Sequence, residues 1–79
     1  MSLTVSTSVT IDDITLTATV ESHLHPRRGW LATVSVNGCV LAEDVDWDDV
    51  AGHIQMRAGG FAKKLNANLR RNRPARLAA

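Results

Sequence analysis

Seventy-nine residues allow one domain with one modest core, which buries about 60–65% of the unfolded surface and leaves a thin margin of stability. Hydrophobic residues make up 44% of the chain, too many for a disordered polyelectrolyte, and no run approaches the ~18 apolar residues of a membrane-spanning helix. The net charge of +1 conceals a division: residues 1–49 hold two arginines and all eight acids, or −6, whereas residues 50–79 hold seven basic residues and no acid, or +7.

The first half of the chain alternates with a period of two. Leu3, Val5, Val9 and Ile11 share one side of a strand over about residues 3–11, and Thr4, Ser6, Ser8 and Thr10 share the other. After Asp12-Asp13 the apolar set moves to Ile14, Leu16, Ala18 and Val20 in a second strand over about 14–24, with Thr15, Thr17, Thr19 and Glu21 outward. Two acids between alternating strands predict a hairpin. Asp-Asp is a weaker turn signal than Asp-Gly, so the loop is expected to be bulged or longer.

His23 to Gly29 interrupts the pattern, with Pro26 and Gly29 as breakers. A third strand follows over about 30–36, where Trp30, Ala32, Val34 and Val36 alternate with Leu31, Thr33 and Ser35. Asn37-Gly38 suits the positive φ of a type I′ turn. It predicts Val36 opposite Cys39 and Val34 opposite Leu41, in a fourth strand over about 39–45.

Asp46 then stands as a helix N-cap, with Asp48 and Asp49 in the first turn where carboxylates oppose the helix dipole. Trp47, Val50, Ala51, Ile54, Ala58, Phe61, Ala62, Leu65 and Leu69 continue at helical steps in one apolar stripe. Gly59-Gly60 would cost an unbroken helix about 2 kcal/mol relative to Ala-Ala. Such a helix would also reach about 39 Å, longer than so small a domain is wide. Two helices over about 47–58 and 61–72, hinged at the glycines, are therefore expected, with a frayed tail at 74–79. The fold class is α+β: an antiparallel four-stranded β-meander followed by two C-terminal α-helices packed on one face, in a single domain of residues 1–79.

The richest functional signal is the basic half. In an unbroken helical phase Arg57, Lys64 and Arg71 line one flank of the stripe, and Lys63 and Arg70 lie on its far polar face. Such a helix tracks phosphates or an acidic protein surface, although cations near a helix C-terminus also complement the dipole. Arg27 and Arg28 form a second basic feature in the loop. Met56 falls opposite the apolar stripe, where an exposed thioether suits a protein contact.

Other constellations are weaker. Glu21, His23 and His25 alternate on one strand face, but zinc would need a fourth ligand from elsewhere. Asp44, Asp46 and Asp48 are spaced like the opening of a calcium loop, yet Asp49 replaces its glycine and Gln55 its closing glutamate. Cys39, the only cysteine, is expected to pack with Val36 and Leu41 and has no partners for nucleophilic chemistry. No catalytic residue, metal site or cofactor is assigned. A lone cysteine, and an N-terminus without a charged start and apolar run, point to a reducing, cytoplasmic setting.

Two family resemblances follow from local motifs. Trp30 to Ala42 resembles the second and third strands of double-stranded-RNA-binding domains, and Gly60-Phe61-Ala62-Lys63-Lys64 resembles their final helix start. This chain, however, opens with strands where that family has a helix, and carries acids where it places lysines. Val36-Asn37-Gly38, Gly59-Gly60, Asn66-Ala67 and Arg70-Arg71 together resemble the organisation of small phage-encoded anti-CRISPR proteins. That resemblance implies a non-enzymatic inhibitor that binds and masks a macromolecular partner. A protein or ribonucleoprotein is then the expected partner, with direct nucleic-acid binding as the alternative, no membrane role, and a homodimer compatible with either.

Overall fold

The computed structural model describes residues 2–74. Its elements are β1 (Ser2–Ile11), β2 (Ile14–His25), β3 (Gly29–Val36), β4 (Cys39–Val45), α1 (Trp47–Ala58), one 3₁₀ turn (Gly59–Phe61) and α2 (Ala62–Arg71). The strands form one antiparallel sheet in the order β1-β2-β3-β4, the α+β meander expected from the alternation. Of the expected frayed tail, residues 75–79 lie outside the described residues.

The turns follow from residues that tolerate a left-handed backbone. Asp12 and Asp13 take φ of 51° and 65°, so a tight two-residue turn joins Ile11 to Ile14 in place of the bulged or longer loop expected. Short polar side chains make that conformation affordable twice in succession. Asn37 and Gly38, at φ 50° and 82°, close the second tight hairpin. The Asn37 side-chain oxygen also accepts from the Thr17 N–H at 2.8 Å, tying this turn to β2.

β4 departs from the expected register. Val36 does oppose Cys39, but Val34 meets Ala42 rather than Leu41, and the pairing shifts on both sides of Val34. Asp44 sits at φ 55° within the second shift. Extra residues in an edge strand bend and twist it, which lets Leu41 and Ala42 both pack against the core.

The helical segment reverses instead of merely hinging. Gly59 adopts φ 53°, ψ −122°, a region closed to side-chain-bearing residues, and turns the chain back on itself. Asn66 Nδ2 donates to the Ala51 carbonyl at 3.1 Å, and the Arg73 guanidinium lies over the Trp47 ring, 5.8 Å from its centroid. The helices therefore run antiparallel, with α1 over β3 and β4 and α2 over β1. Two short helices side by side cover the sheet's width, which one long rod would not.

Ala18, Val20, Ala32, Val34 and Val36 from the sheet meet Val50, Ile54, Ala62, Leu65 and Leu69 from the helices. Asp46 holds the expected cap position, but its carboxylate makes no capping bond, and its backbone carbonyl accepts from Asp49 N–H at 2.9 Å.

Three expectations about burial are corrected. Cys39 is exposed, because it sits at a hairpin tip on an edge strand. Ile14, on the core face by alternation, is 57% exposed beside the first turn. Leu31, on the outward set by alternation, is only 1% exposed and stands apart from the helix-facing core.

Candidate functional site

α2 contains Lys63, Lys64, Arg70 and Arg71 and no acidic residue. Its buried positions, Ala62, Leu65 and Leu69, fix the rotation of the helix on the sheet. Given that rotation, Lys63 and Arg70 crown the helix, bordering a groove with Gln55 and Gly59 of the neighbouring helix. Lys64 and Arg71 line the flank away from α1, which Arg70 also borders, together with Asn68 and Val9 of β1. All four cations are exposed, and none forms an ion pair among the described residues.

Sequence periodicity placed Arg57, Lys64 and Arg71 on one continuous flank. The reversal at Gly59 breaks that phase, so Lys64 and Arg71 share a flank of α2 while Arg57 ends α1. Met56 is 88% exposed, and it borders a shallow surface with Asp49, Gly52 and His53 on α1. Acid and thioether there make a contact surface distinct in character from the cationic α2.

Arg27 and Arg28 do not join the α2 surface. Trp47, at the start of α1, meets Ser22, and β2 runs three residues further, about 10 Å, before the loop begins. The His25 Nδ1 accepts the backbone N–H groups of Arg27 and Arg28, each at 3.1 Å, so this histidine closes the loop. Arg28 Nη2 then donates to the Asp44 carbonyl at 3.3 Å, toward β4 and the opposite sheet edge from α2.

Of Glu21, His23 and His25, the two histidines are likewise given structural work. His23 Nε2 lies 3.1 Å from Asp44 Oδ1, and His25 is spent on the loop. Among the described residues no group of three or more His, Cys, Asp or Glu side chains converges in a metal-holding arrangement. No helix among them is long and apolar enough to cross a membrane.

Polar residues of α2 dock it. Asn66 bonds α1, and Asn68 Nδ2 donates to Thr7 Oγ1 on β1 at 3.0 Å while its own oxygen accepts from Arg71. Arg73 pairs with Asp48 at 3.6 Å as well as covering Trp47, so it belongs to the helix hairpin. Nothing in the spacing pointed to these partners, because each depends on the reversal.

Hydroxyl groups line the outer face of the β1–β2 hairpin near its turn. Ser6 pairs with Thr19 at 3.0 Å, Ser8 with Thr17 at 2.7 Å and Thr10 with Thr15 at 2.7 Å across β1 and β2. Such a ladder fixes the register of β1 on β2. No family model matches the chain, and neither a curated protein nor a solved structure matches it.

Proposed function

We propose that this chain is a small non-enzymatic interaction protein that masks the surface of a macromolecular partner, in the manner of the phage-encoded anti-CRISPR inhibitors it resembles. The observation that carries the reading is the charge of α2. Among the described residues its four exposed cations form no ion pair with a carboxylate, although the chain's acids are plentiful elsewhere. An unpaired, single-sign surface on a rigid helix steers an oppositely charged partner and fixes its orientation. A cytoplasmic setting belongs to the same reading, supported by the lone free thiol.

The partner is a protein or ribonucleoprotein with an acidic face. Capture from a host lysate with nuclease present tests this. Retention of a partner that is lost with Lys63→Glu/Arg70→Glu is expected; loss of every partner on nuclease treatment overturns it.

The second reading is direct nucleic-acid binding through the same cations, favoured by the absence of any acid on α2. A shift assay against duplex and single-stranded nucleic acid over a salt series separates the two. Phosphate binding would weaken with a log–log slope of about 0.9 per contact on duplex DNA.

A further inference from the structure

We propose that the open edge of β1 accepts an extended strand from the partner, and that this strand carries carboxylates on its helix-facing side. The inference rests on the interaction reading above and specifies how the partner is held.

The two edges of the sheet are unlike. β4 is bulged twice and carries Glu43 and Asp44, devices that discourage strand pairing. β1 spans ten residues, Ser2–Ile11, in unbroken register, with no charge, no proline and no bulge. Ile11 and Ile14 flank the two-residue turn and so form its first hydrogen-bonded pair. From there Leu3, Val5, Thr7 and Val9 direct their N–H and C=O groups toward β2, and Thr4, Ser6, Ser8 and Thr10 direct theirs outward. The outward row is a template for one more strand, as in binding by strand addition.

What would lie beside that strand sets its chemistry. The β1 edge runs under the flank of α2 that carries Lys64 and Arg71. These cations are seven residues apart, about 10 Å along the helix. A strand advances about 3.4 Å per residue, so same-face carboxylates two to four residues apart reach both.

Pairing of β1 with a second copy is disfavoured by the same flank. A twofold arrangement would bring Lys64 and Arg71 of both chains into one seam, with like charges opposed.

The probe is a short capped peptide of alternating threonine and valine in which two same-face valines are glutamate, with a lysine version as control. Amide exchange followed by NMR reads the backbone N–H groups of Thr4, Ser6, Ser8 and Thr10. The glutamate peptide is expected to slow their exchange at concentrations about tenfold below those needed by the lysine peptide. Lys64→Glu/Arg71→Glu should invert that preference, and a gain of lysine-peptide binding cannot come from unfolding.

Absent protection, equal protection by the two peptides, or a free chain already dimeric with those amides protected would each overturn the proposal. If a lysate partner is retained through nuclease and lost with Lys63→Glu/Arg70→Glu while the edge amides ignore both peptides, the interaction reading stands and the strand-addition mode falls.

Discussion

The indole N–H of Trp47 donates to the hydroxyl of Ser22 at 2.6 Å, linking the first residue of α1 to the C-terminal half of β2. Ser22 is the one polar residue in the described core, at 0% exposure, and it follows Ala18 and Val20 on the helix-facing side. The bond sets where α1 begins on the sheet, while the stacked Arg73 brings the end of the helix hairpin to the same ring.

Ser22→Ala should therefore cost about 1–2 kcal/mol, because it leaves a half-buried indole donor without its partner. Trp47→Phe should cost more, since it also removes ring area from the core and from Arg73. Combining the two should cost less than their sum, because the second change removes a partner already orphaned by the first. Urea denaturation of the two single variants and the double variant measures this, and strict additivity would show that the bond contributes nothing.

The glycine pair gives a second prediction with its own control. Gly59 holds φ 53° and ψ −122°, whereas Gly60 has no positive φ, and neither would bring an added Cβ within 4 Å of another atom. Gly59→Ala should thus destabilise the fold by about 1–3 kcal/mol through backbone strain alone. Gly60→Ala should be neutral or stabilising by up to about 1 kcal/mol, since it lowers the entropy of the unfolded chain. Thermal melts of both variants decide it; equal effects would place the reversal elsewhere than Gly59.

These features also mark how far the sequence could be read. Strand alternation, Asn37-Gly38 and the helical stripe identify the four strands and two α-helices of the described chain, because each is a local pattern that burial enforces. The reversal at Gly59 was not legible, since a glycine pair is equally compatible with a hinge and with a full turn. Everything that depends on the reversal was hidden with it: Arg73 on Trp47, Asn66 on Ala51, and the separation of Arg57 from Lys64 and Arg71. The cations of α2 were legible as charges, but their division into a crown and a β1-side flank required the helix's rotation.

Cys39 supplies a third prediction. Alternation put it on the core face opposite Val36, and it is nonetheless exposed, because α1 and α2 do not cover the hairpin tip. A water-soluble thiol reagent should modify it fully under native conditions, at a rate close to that of the unfolded chain. Far-UV circular dichroism should be unchanged by the modification. Labelling that required denaturant would mean the thiol is packed after all.

The last prediction concerns Leu31, which alternation assigns to the outer face and which is nevertheless buried. Its cross-strand partner is His23, and His23 reaches across β3 to Asp44 on β4 at 3.1 Å. Asp44 is aimed there by its left-handed backbone within the bulge, and Arg28 bonds its carbonyl from the loop. The bulge, the His23–Asp44 contact and the loop thus close over one leucine on an otherwise polar face. Leu31→Ala should cost about 2–4 kcal/mol, as a fully buried leucine does when truncated. Thr33→Ala, the next residue on the same face, is half-buried and should change stability by no more than about 0.5 kcal/mol. His23→Ala would uncover one side of Leu31 and should fall between them, near 1 kcal/mol by the usual scale of point substitutions. Chemical denaturation of the three variants gives the ranking, and a Leu31→Ala value as small as that of Thr33→Ala would remove the roof from the account.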